Sequence, residues 1–182
     1  MTLDIATLLA AIGLFLLACQ IYLQRIDQRN QAVAQVFDEL VTPDFRRKLH
    51  FVYSHRPEDL VLSNLSESDR ETVEEVTARF DGLGFRVRKG IVPRNEAREL
   101  FWDLVVRCAQ QLRPHLLDQR EKRGILREYK TDFDWLAREC KLFQLRKLSN
   151  KSPAKDLNLD ELLKLEPLPI FRNGNPKDNQ QA

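Results

Sequence analysis

The chain has 182 residues, of which 29 are Lys or Arg and 27 are Asp or Glu, so its formal net charge is +2. This length corresponds to one domain, and six glycines are too few for the frequent turns of a β-sandwich or barrel. The balanced charge and the 43% of hydrophobic residues exclude a fully disordered chain and argue against nucleic acid as a partner. We expect an all-α protein.

The first predicted element is an apolar segment. Residues 5–24 (IATLLAAIGLFLLACQIYLQ) contain no charged side chain. A helix of about 20 residues, rising about 1.5 Å per residue, crosses a hydrocarbon layer of about 30 Å. We therefore predict that residues 1–24 form a transmembrane anchor.

A cleaved signal, a lipoprotein signal and a buried core helix are the alternatives for this segment. Residues 16–19 (LLAC) resemble the cleavage site of a lipoprotein signal. Against cleavage, no Lys or Arg precedes the apolar segment, and apolar residues continue beyond Cys19. A buried core helix rarely lacks charged residues over such a length. These observations favour a retained anchor.

The basic residues predict the orientation of the anchor. None precedes the apolar segment, whereas Arg25 and Arg29 follow at once and Arg46, Arg47 and Lys48 lie further on. Because basic residues flank a membrane span on its cytoplasmic side, we expect the N-terminus outside and the following domain in the cytoplasm.

Helical periodicity continues through residues 25–148, which we predict to be a small cytoplasmic helical bundle. Residues 25–41 extend the anchor helix, with a self-pairing coiled coil as an alternative to packing on the chain's own domain. Gly82 and Gly84 weaken the third helix, and Pro114 is expected to kink the fourth. Further helices are predicted from Pro43 to about His55, over residues 66–89, from Arg94 to about Lys122, and from Thr131 to about Leu148.

From Ser149 the composition changes to Ser, Asn, Lys, Pro and Asp, so residues 149–182 are predicted to be a flexible tail outside the domain. This tail contains a short apolar motif, which has three alternative fates: it docks back on the domain, binds a partner protein, or stays disordered. The candidate partner motif consists of Leu159, Leu162, Leu163, Leu165 and Phe171.

Cys108 and His115 are the strongest candidates for chemistry. They lie seven residues apart and share a helix face, with Cys108 expected to be buried and His115 partly exposed. Two such residues without a CxxC or HxxxH pair are a weak zinc signal. The sequence contains no nucleotide-binding, metalloprotease or hydrolase motif, so we predict no enzymatic activity and no cofactor or metal.

Two basic clusters are candidate contacts for anionic lipid or for a protein partner, because such clusters near a bilayer attract anionic headgroups. The alternative is that they are solvated helix faces offset by neighbouring acids. The clusters consist of Arg46, Arg47 and Lys48, and of Arg86, Arg88 and Lys89.

One further pattern runs from an aromatic pair through a helix-interior proline to a downstream arginine. It consists of Phe101 and Trp102, then residues 113–116 (RPHL), Arg120, Phe133 and Leu136. Together with the N-terminal anchor, it resembles a bacterial family of small single-pass, membrane-anchored helical proteins known only as a domain of unknown function. The resemblance covers residues 1–148. It implies a location in the inner membrane and carries no functional residue.

The functional expectation is a membrane-tethered helical interaction or regulatory module that holds a protein partner at the cytoplasmic face of the inner membrane. One alternative is a small effector or enzyme with a site near Cys108 and His115. Another is a structural homo-oligomer assembled through the anchor helix, where Ala6 and Ala10 provide two small residues four positions apart.

Overall fold

The structure, a computed structural model, describes residues 5–123, 129–149 and 157–165. These residues form helices joined by short connections and contain no strand, so the all-α prediction is confirmed. The helices are α1 (Ile5–Val41), α2 (Pro43–Ser54), α3 (Glu67–Arg88), α4 (Arg94–Arg123), α5 (Thr131–Ser149) and α6 (Leu159–Lys164), and a short 3-10 helix spans Pro57–Leu60.

Helix α1 runs without a break for 37 residues, or about 55 Å at the usual rise. The prediction of one helix that continues from the apolar segment through residues 25–41 is therefore confirmed. Large apolar side chains on every side of its first half are exposed, Leu14 and Phe15 by 69% and 67% of their surface. The helix is long and apolar enough to cross a membrane. The alternative of a buried core helix is wrong, because no described part of the bundle covers these side chains.

Local capping places the starts of α2 and α3 where the sequence predicts them. The hydroxyl of Thr42 accepts a hydrogen bond from the backbone N–H of Phe45, and Pro43 fits the first turn because it has no N–H to lose. Ser66 accepts in the same way from the N–H of Asp69. After α3 the chain turns at Gly90, whose φ of +74° is accessible to glycine at little cost.

The core lies between α2, α3, α4 and α5, with the C-terminal part of α1 packed beside it. The ring of Phe80 on α3 lies 5.9 Å from Phe45 on α2 and 5.4 Å from Phe133 on α5, so three helices meet around one aromatic group. Burying a phenylalanine of this kind contributes about 1.5–3 kcal/mol. Leu112 and Leu116 supply the facing side of α4.

Helices α3 and α5 approach each other closely at Gly84. A Cβ atom added there would lie 2.2 Å from the backbone oxygen of Asp132. The absence of a side chain therefore lets the first turn of α5 rest directly on the backbone of α3. The glycine that the sequence marks as a weakness of the helix is a requirement of its packing.

Part of the predicted tail packs on the domain. Within residues 149–182, helix α6 packs on α4 and α5, and Leu162 and Leu163 are buried. For these leucines the structure shows the first of the three alternatives, docking on the domain. The physical reason is that two adjacent leucines reach an apolar surface which the main bundle leaves uncovered. Residues 150–156 and 166–182 lie outside the described residues.

Candidate functional site

Cys108, the first candidate for chemistry, lies in the core as expected. Its Sγ is 3.2 Å from the hydroxyl oxygen of Tyr53, and the side chain is fully buried. Burial raises the pKa of the Cys108 thiol to about 12. Because the thiolate is the reactive form, a thiol with this pKa is a poor nucleophile at neutral pH.

His115 is fully buried, so the expectation of partial exposure is wrong. The short 3-10 helix covers this part of α4, and the His115 Nδ1 lies 2.9 Å from the backbone oxygen of Leu60. Cys108 and His115 thus have different hydrogen-bond partners, Tyr53 and Leu60. Within the described ranges, no group of three or more His, Cys, Asp or Glu side chains is arranged to hold a metal ion.

In the first basic cluster, two arginines are exposed and the lysine is partly buried. Arg46 and Arg47 are exposed on α2, and Arg47 lies 3.4 Å from Asp44 in a solvent-exposed ion pair. Lys48 instead lies between two acids, with its Nζ 2.7 Å from Asp44 and 2.5 Å from Glu75 on α3. Its hydrogen bond to Asp44, together with that to Glu75, raises the pKa of Lys48. Lys48 therefore joins α2 to α3.

In the second basic cluster, the two arginines form ion pairs and the lysine is exposed. Arg86 donates to both carboxylate oxygens of Glu39, at 3.2 and 2.9 Å, and Arg88 pairs with Asp132 at 2.9 Å. Lys89 is exposed, with its amine 5.8 Å from the centre of the Phe85 ring. In each basic cluster, some of the predicted lipid contacts therefore pair with an acid on another helix: Lys48 in the first cluster, and Arg86 and Arg88 in the second.

The end of α1 is attached to the bundle at a junction that the sequence analysis did not identify. Val36 and Leu40 are buried, and the backbone oxygen of Glu39 accepts a hydrogen bond from Arg79 at 2.9 Å. With the Glu39–Arg86 pair, these contacts attach the end of α1 to the bundle. We call this set of contacts the α1 junction.

Helix α6 contains most of the candidate partner motif. Leu162 is fully buried, Leu163 is 8% exposed, and Leu159 packs partly buried against the core. Leu165 is 39% exposed, whereas Phe171 lies outside the described residues. The motif is therefore divided between a docked leucine pair and a segment beyond it.

Polar contacts from α4 hold α6 at two points. Arg113 forms a two-pronged ion pair with Asp160, with Nε to Oδ1 at 2.5 Å and Nη2 to Oδ2 at 3.0 Å. One turn earlier, the side-chain amide of Gln110 donates to the backbone oxygen of Leu163 at 2.9 Å. Two-pronged arginine–carboxylate pairs fix orientation as well as distance.

Arg113 is itself held in place by the start of α5. Its Nη1 lies 3.1 and 3.2 Å from the carboxylate oxygens of Asp134. Arg120, seven residues further along α4, donates to Asp134 at 2.8 Å and to the backbone oxygen of Tyr129 at 2.7 and 3.0 Å. The two arginines of the sequence pattern therefore have one acid in common, which the sequence alone did not reveal.

An open groove of about 440 Å³ lies beside α6. Its walls are mostly apolar, and Leu117 on α4 is 45% exposed there. The lining residues are Gln110, Arg113, Pro114, Leu117, Asp160, Leu163 and Lys164. We call this feature the α4–α6 groove. Its mostly apolar lining suits an apolar side chain better than a small polar substrate.

A comparison of the chain with protein-family models, with curated proteins and with solved structures finds no match in any of the three. The family resemblance stated above therefore stays a prediction.

Proposed function

We propose that this protein is a single-pass membrane protein that holds a helical interaction module, and through it a protein partner, at the cytoplasmic face of the inner membrane. The observation that carries the proposal is the continuity of α1. One end of the helix is an exposed apolar segment, and the other is packed into the bundle. An apolar helix that is exposed on every side is stable in lipid and not in water.

The part of α1 between the apolar segment and the bundle supports a tethering role. Residues 25–31 are helical and exposed, and contact with the bundle begins at Ala32 and Val33. Seven helical residues correspond to about 10 Å. An unbroken helix of this length would hold the bundle at a defined distance from the membrane instead of on a loose linker.

Charge supports the proposed orientation. Arg25 and Arg29 lie on the bundle side of the apolar segment, in the exposed part of α1. Basic residues this close to a span are retained in the cytoplasm.

The module is better suited to binding than to catalysis. The burial of Cys108 and His115 argues against the effector or enzyme alternative, since a substrate has no access to either side chain. The α4–α6 groove, by contrast, is open and apolar. Grooves of this kind accept helical or extended peptides.

The test is affinity capture of the tagged full chain from membranes in mild detergent. A matched variant carries an unrelated apolar helix in place of residues 5–24. We expect the same protein to be recovered with both chains, because the bundle makes the contact and the anchor supplies only the location. Recovery of no specific protein, with or without residues 149–182, would contradict the proposal.

A further inference from the structure

Helix α6 is bound to the bundle in the way that a short peptide ligand is bound. It has six residues, and residues 150–158 lie between it and α5. Isolated helices shorter than about 12 residues are unstable in water, so α6 depends on its docking surface for its structure. Its own contribution is a capping box, in which Asn158 and Glu161 bond each other's backbone N–H groups.

The contacts of α6 define a recognition pattern. An acid at Asp160 meets a two-pronged arginine, and the leucine pair two and three positions later is buried. The carbonyl oxygen of Leu163 accepts from Gln110. A helical turn with the pattern Asp-x-Leu-Leu therefore satisfies one charged, one apolar and one backbone contact at once.

Within the ion pair between Arg113 and Asp160, the arginine is held in place by other contacts, whereas the aspartate is open to solvent. Arg113 is 16% exposed, and it also bonds Asp134 on α5 through contacts that do not involve α6. Asp160 is 46% exposed, so water reaches it easily. Departure of α6 would leave an oriented guanidinium on α4 facing an empty apolar surface.

The surface on which α6 docks extends beyond α6. The α4–α6 groove of about 440 Å³ continues beside α6, with Leu117 exposed along it. A longer helix with the same pattern would make the contacts of α6 and cover Leu117 as well.

We propose that the surface which α4 and α5 present to α6, with Gln110, Arg113, Pro114 and Leu117 on its α4 side, is a docking site for an acidic, leucine-containing helix of a partner protein, and that α6 is its intramolecular competitor. The inference rests on the proposed function and names the class of partner that the module binds. Charge complementarity favours an acidic helix. Arg113 bonds both Asp134 and Asp160, and a basic or neutral helix would supply no carboxylate in place of Asp160.

The probe is a labelled peptide with the sequence of residues 157–165 (LNLDELLKL), blocked at both ends. Its binding to the full chain in detergent micelles is measured by fluorescence anisotropy, with empty micelles and a scrambled peptide as controls. The Leu162→Asp/Leu163→Asp chain removes the resident helix and leaves the α4 surface unchanged. Residues 150–158 connect α6 to α5, and a connection of nine residues gives α6 an effective concentration on the order of 1 mM at its docking surface. For a peptide with a Kd of about 0.1 mM, the wild-type chain then binds about tenfold more weakly than the opened chain.

A pair of substitutions on α4 tests the site itself. In the opened chain, Arg113→Glu is expected to abolish binding. Arg107→Glu makes the same charge change at an exposed position on another face of α4 and is expected to have no effect. Thermal unfolding of both variants checks that the bundle is intact. If Arg113→Glu unfolds the bundle, Gln110→Ala replaces it and is expected to weaken binding.

The inference would be overturned by no binding to the opened chain, by equal binding to the wild-type and opened chains, or by equal effects of the two arginine substitutions. Loss of probe binding that grows with the concentration of added wild-type chain would assign the site to α6 of a second copy and overturn it too. None of these results depends on the membrane, so the tethering proposal stands or fails separately.

Discussion

Gly82 and Gly84 lie two positions apart on α3 and have opposite surroundings. A Cβ at Gly84 would meet the backbone of Asp132 at 2.2 Å, whereas a Cβ at Gly82 would have no neighbour within 4 Å. The backbone of Asp132 belongs to the start of α5 and is bonded to its own helix, so it has little freedom to move away. The two glycines therefore offer a matched test of the packing of α3 on α5.

We predict that Gly84→Ala lowers the free energy of unfolding by about 1–3 kcal/mol, because the new methyl group forces the helices apart. Gly82→Ala is expected to raise it by up to about 1 kcal/mol, through the better helix propensity of alanine. Urea unfolding of the full chain in detergent measures both values. Equal effects of the two substitutions would contradict the close approach.

At the residue scale, the sequence predicts what is local. Thr42, Ser66 and Gly90 act through neighbours within a few positions, and their roles as helix boundaries could be predicted. The partial exposure expected for His115 was wrong because Leu60, 55 positions away, covers it. No pattern within α4 contains that information.

At the scale of elements, two kinds of contact attach α1 to the bundle. Leu40 is buried, with 6% of its surface exposed. The Glu39–Arg86 pair lies at the surface, with about a third of each side chain exposed. Burial and ion pairing differ in strength, so removing one of them at a time shows what each contributes to the α1 junction.

We predict that Leu40→Ala lowers the free energy of unfolding by about 2–4 kcal/mol, because it leaves a cavity in the core. Arg86→Ala is expected to cost no more than about 1 kcal/mol, since water and salt screen an exposed ion pair. The same unfolding measurement applies, and raising the salt concentration should reduce the cost of Arg86→Ala only. A larger cost for Arg86→Ala than for Leu40→Ala would show that charge holds the junction.

The docking of α6 should depend on pH. The hydrogen bond from Arg113 lowers the pKa of Asp160 below its ordinary value of 3.8. A carboxyl whose pKa is lower in the docked state stabilises docking above pH 3.8, and this contribution is lost as the pH falls through the lowered value. We therefore predict release of α6 in acid, read from an environment-sensitive dye on Leu165→Cys.

The control for this titration is Asp160→Asn, which removes the titrating group. It should weaken docking at neutral pH and eliminate the acid transition of the dye. A transition of the same size in both chains would mean that general acid unfolding, and not Asp160, releases α6.

The docking of α6 could not be predicted from the sequence. Its leucines can be recognised as an apolar motif in the sequence, but their docking depends on a surface that α4 and α5 build together, which the sequence of the tail does not specify. Arg113 and Arg120 could be placed on one face of α4 by their spacing. Their common partner, Asp134, depends on how α5 packs against α4, which the spacing does not specify.

At the scale of the whole molecule, the predicted orientation has a direct chemical test. Ser63 is exposed in the connection before α3, whereas Cys108 and Cys140 are buried. Burial also raises the pKa of the Cys140 thiol to about 12. We predict that Ser63→Cys reacts with a membrane-impermeant maleimide in inverted vesicles and not in intact cells. The wild-type chain measures the background, and labelling in intact cells would reverse the proposed orientation.

The separation of a long apolar helix from the bundle is the part of the fold that composition predicts best. A charge-free segment of about 20 residues is unusual enough to be recognised without any knowledge of packing. The arrangement of the bundle is different, since it depends on contacts such as that between Gly84 and Asp132, which no periodicity reveals.

Alkaline extraction of membranes that contain the intact chain tests the central claim most directly. We predict that the full-length protein stays with the lipid at high pH, while Leu14→Asp/Leu17→Asp is released, because each acid at the centre of a span costs about 3 kcal/mol. Release of the unaltered chain, or a mature protein that begins beyond Cys19, would contradict a retained anchor and the tethering role built on it.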